Sequence, residues 1–555
     1  MSSCRETPPR PESARRRAPF REGAIMMTAE RRNGPSSFRV GLAGLAVAAA
    51  IACAPVRTAE AADTFVFANT SEYDTMDPHL TFDVGRVAYR LNLYDGLMRW
   101  EDNPPKLEPW LASGYTISDD GLTYTFILRE GVEFHDGSEL TAHDVVYSME
   151  RILALKKGAA SLFAPLVEPG STTAPDDYTV MFKLTRPAAI FLSIVPEIHV
   201  VNADLIEKHA KDGDWGTDWL ATHDAGSGSF KLRRFDPAIG FQAERFEDHF
   251  LGWGENYLDR IEFRTVREAT TRVLGLIKGD FDGTDGYLPR DQVARLTEAK
   301  GVKVLEEQSM RLAVVQINTQ RPPLDDVHVR RAISYAFDYD GVIDNMLGGT
   351  VERNGAPIPK NLWGYPEDAE VYSYDIDKAK VELAEAAKPV ERALSIHPMV
   401  GYNQTDQMAL ILQNGLRKIG IDARITPETW PTLVGKTASP DTAPDIWLHW
   451  VSTYYADPHN WIGEMYDSAN RGTWKASSYY RTPEVDALLE DPLTLTDQDA
   501  RAEKYAAAAR IVVAEAPGLW IYNTKWYGPY ADKVEGVRFS PVGDGQEMRW
   551  IYFKD

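Results

Sequence analysis

Three clusters in this 555-residue chain carry side chains able to do chemistry. His135 and His143 stand beside Asp136 and Asp144, a donor set that suits zinc or a similar ion. Their order fits a tight turn at Phe134-His135-Asp136-Gly137, followed by a helix that Thr141 opens. Asp144, three residues on, resembles the second half of a capping box. No His-x-x-x-His and no cysteine pair accompanies them, so turn and cap account for all four and no metal is expected. Asp280, Asp282 and Asp285 have the opening spacing of a calcium loop. That loop wants Gly at its sixth position and Glu at its twelfth, where this chain has Asp285 and Asp291; a solvated turn is expected instead. Ala225–Phe230 reads AGSGSF. A phosphate loop needs a lysine and a helix directly after it, whereas Phe230-Lys231-Leu232 begins a strand, so a backbone crossover between domains is expected. Gly-x-Ser-x-Gly and His-Glu-x-x-His are absent. Carboxylate pairs are abundant, and a glycoside-acting hydrolase stays open on composition alone.

These residues need a scaffold, and the chain writes an α/β one. Asp63–Thr70, Leu122–Leu128 and Asp177–Leu184 read as strands, the second after an Asp119-Asp120-Gly121 turn. Helices are expected over 86–97, from Thr141 onward, 270–279, 329–337, 376–387, 407–419 and 497–515, each with apolar residues at helical spacing or a capping signal. Strands alternating with helices throughout imply an α/β protein.

Length calls for two or three domains. The net charge of −22 sets most of the surface against nucleic acid and anionic lipid. Seven arginines from Arg15 to Arg39 precede an apolar run at 40–52 and the site Ala59-Glu60-Ala61, the layout of a secretory leader over residues 1–61. Residues 1–25 read as an Arg/Pro-rich upstream extension. Loss of the leader removes both cysteines, Cys4 and Cys53, and leaves a net charge of −27. A second reading has Cys53 become a lipid-modified N-terminus. No internal transmembrane span is expected.

Leu93–Ile152, GSGSFKL at 226–232, LIKGDFDG at 276–283, the stretch 318–350, YSYDIDKAKVELAEA at 372–386 and LQNGLRKIGIDARI at 412–425 follow one another in an order that resembles family 5 of the ABC-importer solute-binding proteins, the oligopeptide, dipeptide and nickel type. The resemblance spans Thr64 to the C-terminus. It implies a periplasmic-binding-protein-like fold of class II: two lobes with a hinge and an additional inserted domain. Lobe I is then 62–91, 203–309 and 522–555; the insert is 92–202; lobe III is 310–521, with the ligand cleft between lobes I and III. The implied function is capture of a small-molecule solute in the periplasm and delivery to an inner-membrane ABC permease and its ATPases. The protein acts as a monomer, without cofactor, metal or catalysis. An extracytoplasmic chaperone or chemoreceptor on the same scaffold is the other alternative to the hydrolase.

Peptide-binding members hold the ligand's amino group with an Asp four residues before a Pro. In this chain that segment, Trp450–Pro458, is one residue longer, and Tyr454 falls at the Asp position. The family's carboxylate-binding Arg aligns with Met399, and Arg392 is the nearest arginine. A buried ammonium without a counter-charge costs several kcal/mol, so with both anchors missing a free dipeptide is a poor fit, and a peptide-like solute or an oligosaccharide, glycoside or opine is expected. Aromatic faces suit such ligands. Trp450, Tyr454 and Tyr455 are the leading contact residues. Glu72 and Tyr73 are expected to face the cleft from lobe I, with Tyr402, Trp430 and Asp457 as further candidates.

Overall fold

Two long strands decide the plan of the molecule. Val302–Ile317 and Gly518–Ala531 pair antiparallel from Val302↔Ala531 to Gln316↔Gly518. Each is far longer than the usual five or six residues, and each runs between the two halves of the large sheet. Their register shifts between Gln308 and Leu312, a bulge that bends and twists the ribbon where it passes from one lobe to the other. The computed structural model describes residues 63–254 and 256–554; the expected leader and Cys53 lie outside them.

The ribbon is the middle of an eleven-stranded sheet. On the lobe I side, Gly283–Thr284, Thr64–Asn69, Arg260–Thr265, Gly240–Arg245 and Phe230–Asp236 follow in that order. Thr64–Asn69 runs parallel to both neighbours, and the outer pairs are antiparallel hairpin partners. On the lobe III side lie Ile446–Val451, Leu394–His397 and Ala423–Ile425, and Val351–Arg353 adds to the second long strand. Within Val302–Ile317 the strand's two-residue period divides lobe III into two cores. Ala313, Val315 and Ile317 face one cluster, while Leu312 and Val314 face the other. Helices cover both faces, as the alternating sequence requires.

The insert carries its own four-stranded antiparallel sheet and the helix Ala142–Leu155. This helix starts as read from the sequence: the Thr141 N–H donates to Asp144 at 2.9 Å. Its Met149, Val145 and Ile152 enter a core of their own with Phe126 and Phe182. The AGSGSF segment is the return crossover. A Cβ on Gly226 or Gly228 would lie 1.8 Å from the Leu93 carbonyl oxygen or 2.4 Å from the Leu93 carbonyl carbon, so two chain segments touch backbone to backbone there. His135 is structural, with Nδ1 3.1 Å from Asp224 and Nε2 2.9 Å from the Gly228 carbonyl.

The aspartates after the helix Ala269–Lys278 correct one expectation. Asp282 and Asp285 are buried rather than solvated. Asp282 accepts from Val66 N–H at 2.9 Å and pairs with Lys533, and Asp285 accepts from Thr70 N–H and pairs with Arg272 at 3.3 Å. They fasten the neighbouring strands Thr64–Asn69 and Gly283–Thr284 together across more than 200 residues of sequence. The first helix is also shorter than expected, Val87–Leu93 rather than 86–97, because Tyr94 turns to extended backbone and carries the chain into the insert.

Candidate functional site

Where the lobes meet, an aromatic pair bridges them. Phe82 comes from the lobe I segment that follows Pro78, and Tyr454 from the loop that follows the strand Ile446–Val451. Their ring centroids are 5.0 Å apart. This pair lines a small cavity of about 50 Å³ that is partly open to solvent. Lobe I supplies Phe82, Asp83, Arg90 and Gly543; the insert supplies Trp100, Glu197 and His199; lobe III supplies Thr453 and Tyr454. A mostly apolar lining with a few charged side chains, contributed by several parts of the chain, is the common make-up of a small-molecule site.

Tyr454 is held from below. The Lys475 ammonium lies 4.7 Å from its ring centre and donates to Asn460 Oδ1 at 2.9 Å and to the Glu464 carboxylate. Burial lowers the Lys475 pKa, and Glu464 works against that shift. Burial, helped by the Glu464 charge, pushes the Tyr454 phenol up to about 12. Tyr454 therefore stays neutral and offers a ring face and one hydroxyl. In the cavity wall Arg90 pairs with Glu197 at 2.8 Å. Burial raises the Glu197 pKa against the pull of Arg90. His199 is 5 % exposed, and neither ring nitrogen has a hydrogen-bond partner among the described residues. Burial, then the Arg90 charge, hold it well below the usual histidine range, so it is a neutral imidazole.

The sequence-derived candidates separate. Tyr454 lines the cavity. Trp450 does not line it but is buried, with Nε1 donating to the Tyr522 hydroxyl at 3.3 Å and Tyr402 packed on its ring at 5.7 Å. Tyr402 is open to solvent. Trp430 belongs to another group of rings, stacked on Trp447 and edge-on to Trp474.

Four placements differ from expectation. Tyr73 is inside the lobe I core against Tyr89 and Phe241, with its hydroxyl 2.6 Å from Asn69 Nδ2. Glu72 is exposed and paired with Arg267. Tyr455 is fully buried in the insert's core, against which Tyr454 packs only in part, and it bonds Glu464. Asp457 is fully buried and paired with Arg501 at 2.7 Å, so it is a structural anion. Arg392 is likewise taken, by Asp445 at 2.7 and 2.8 Å.

Phe82, Asp83, Arg90, Glu197 and His199 were not among the sequence-derived candidates. Another omission is Arg311, whose guanidinium lies 5.1 Å from the Trp450 ring centre and 5.6 Å from that of Tyr287. Its signal was available: one cation opening the apolar run Leu312–Val315.

The sequence profile of the bacterial extracellular solute-binding proteins, family 5 (middle region), matches residues 106–473. The chain belongs to this family. Among curated family relatives, the probable D,D-dipeptide-binding periplasmic protein DdpA of Escherichia coli K12 is 30 % identical, over 86 % of this chain and 92 % of that protein. The dipeptide-binding protein of E. coli K12 is 28 % identical over 90 % and 96 %. Among solved structures, the periplasmic binding protein DppA of Helicobacter pylori in complex with the peptide STSA superposes with a TM-score of 0.76 and 26 % identity, covering 89 % of this chain and 98 % of that one. Two lobes and an extra domain are thus the family's architecture, and this chain has it. No helix among the described residues is long and apolar enough to cross a membrane.

Proposed function

We propose that this chain is the periplasmic receptor of an ABC importer, capturing a peptide-like solute between lobes I and III and passing it to an inner-membrane permease and its ATPases. The observation that carries this reading is the hollow at Phe82 and Tyr454, lined from both lobes and the insert. The names of DdpA, the dipeptide-binding protein and the peptide-bound DppA support both the location and the solute class. Lobe I is assigned to 62–91, 203–309 and 522–555, the insert to 92–202 and lobe III to 310–521. The two long strands are the hinge, with their bulge at the crossing. The protein works as a monomer and releases its solute unchanged. The carboxylates lining the hollow favour binding over glycoside cleavage: Glu197 is tied to Arg90 and Asp83 to Arg86, each at 2.8 Å, which fixes them as wall rather than as a free acid–base pair.

The test is a thermal-shift series with di- to tetrapeptides, oligosaccharides, glycosides and opine-like acids. A ligand that binds the native state alone at 100 times its Kd adds about 2.7 kcal/mol, a readily measured shift. Peptides should raise the melting point of the wild type and fail to do so for Tyr454→Ala. Shifts confined to sugars or opines would overturn the peptide class. Cleavage products from a glycoside would overturn capture itself.

A further inference from the structure

We propose that Arg311 is the anion anchor of the cleft and takes a carboxylate of the captured solute, an inference that rests on the capture function above. Arg311 sits at the bulge of the two long strands, just before Leu312 resumes pairing with Asn523. Its backbone N–H is tied to Ser309 Oγ at 3.1 Å. The side chain lies between Tyr287 of lobe I and Trp450 of lobe III. One residue therefore holds a ring from each side of the long strands, and its neighbour Leu312 pairs with Val451, three residues before Tyr454.

Its partners are what set it apart. Most buried arginines elsewhere have a carboxylate or carbonyl partner, although the Nε atoms of Arg90, Arg272 and Arg549 are likewise without a hydrogen-bond partner among the described residues. Arg151 has Asp77, Arg272 has Asp285 and Arg501 has Asp457. Arg330, which has no carboxylate, donates to the carbonyls of Glu515, Leu324 and Asp325. Arg311, by contrast, has no carboxylate within 4 Å, and no nitrogen of its guanidinium, the buried Nε included, donates a hydrogen bond among the described residues. Two aromatic faces hold the cation, but they leave its in-plane N–H fork unused. That fork matches the two oxygens of a carboxylate. The nearby carboxylate of Asp544 is engaged otherwise and accepts from the Tyr287 hydroxyl at 3.0 Å. Burial pushes Asp544 up to about 6, which softens its opposition to an incoming anion. A solute carboxylate at Arg311 would supply the missing partner and draw the Tyr287 and Trp450 rings together.

The experiment is calorimetric titration of wild type, Arg311→Gln and Arg311→Lys with matched pairs. The pairs are di- to tetrapeptides with free and amidated C-termini, opine-like acids and their methyl amides, and the same scaffolds as phosphate esters. Wild type should prefer the free acid to its amide by tenfold or more. Arg311→Gln should bind both alike, and Arg311→Lys, which keeps charge without the fork, should fall between. The unligated melting point of Arg311→Gln should stay at or above that of wild type, since no ion pair is lost. Equal binding of acid and amide by wild type, or a preference that survives in Arg311→Gln, would overturn the anchor. A phosphate ester binding tighter than its carboxylate counterpart would overturn the carboxylate assignment. Peptide binding without an acid preference would sink the anchor and leave peptide capture standing. An Arg311-dependent preference seen only for non-peptide acids would do the reverse. Silence from the whole set would sink both. Should Arg311→Gln fail to fold, Arg311→Lys decides by the same acid-to-amide ratio.

Discussion

The insert is held on two sides in two different ways. Against lobe I it is locked by buried charge. Asp77 of lobe I accepts two bonds from Arg151 of the insert, at 2.8 and 2.5 Å, with both side chains fully enclosed. Asp95, at the start of the insert, takes Trp110 Nε1 at 2.7 Å and Ser227 Oγ at 2.9 Å. The His249 ring and Arg99 stand near that carboxylate, and its hydrogen bonds and charges hold it far below the usual range in spite of its burial. Against lobe III the insert makes one backbone bond, Ala189 N–H to the Leu493 carbonyl at 2.6 Å, and a long hydroxyl contact from Ser193 to Asp457 at 3.4 Å, besides apolar packing on Tyr455 and Leu493. A buried ion pair is costly to break because each partner is left uncompensated, whereas a few apolar contacts can be parted and remade. The contrast supports the proposal that lobe I and the insert move as one body and that lobe III swings about the long strands. Phe82 and Tyr454 then meet across the side proposed to open.

The largest expected effect lies on the locked side. Asp77→Asn leaves the Arg151 charge buried without its partner, and denaturant unfolding should show a loss of about 3–5 kcal/mol. A loss below 1 kcal/mol would mean the lock is not what joins the two parts. Tyr454→Ala acts on the opening side. It should cut solute affinity by tenfold or more, about 1.4 kcal/mol, and leave the unligated melting point within a few degrees of wild type.

Asp544→Asn tests the cleft wall through pH. Burial raises the native Asp544 pKa from 3.8 to about 6, so the native state favours the proton. That contribution is complete below the unfolded pKa and is lost as pH rises through about 6. The variant should therefore melt higher than wild type above pH 6, by about 1–2 °C for a chain of this size, and the gain should vanish near pH 4. The smallest effect belongs to the loose contact. Ser193→Ala should change stability by less than about 0.5 kcal/mol, and a cost as large as that of Asp77→Asn would erase the contrast.

Much of the scaffold was legible because its signals are local. Thr141 and Asp144 announce a helix start within four residues. The helices Ile376–Glu385, Asn403–Lys418 and Gln498–Glu515 lie within a few residues of their expected bounds. What failed was non-local. Asp282 and Asp285 look like a solvated turn until Val66 and Thr70 arrive from the far end of lobe I to use them. Tyr454 and Tyr455 are equally aromatic neighbours, and only the loop's path leaves the first at the cavity and buries the second in the insert's core. Tyr73 is exchanged for Phe82 for the same reason: the segment after Pro78, rather than the one before it, reaches lobe III. Arg311 was visible as a cation in an apolar strand, but a missing partner can be read only in three dimensions.

The central claim is that lobe III moves against a single body made of lobe I and the insert. It is tested most directly by distances between spin labels on Ile127→Cys in the insert, Ile239→Cys in lobe I and Leu410→Cys in lobe III, all exposed positions, with Cys4→Ser and Cys53→Ser as background. The account predicts that the 127–239 distance stays fixed when the best peptide from the thermal-shift series is added. The distances from residue 410 to both others should change together and narrow to one population. A change in the 127–239 distance on binding, with the lobe III distances still, would contradict it.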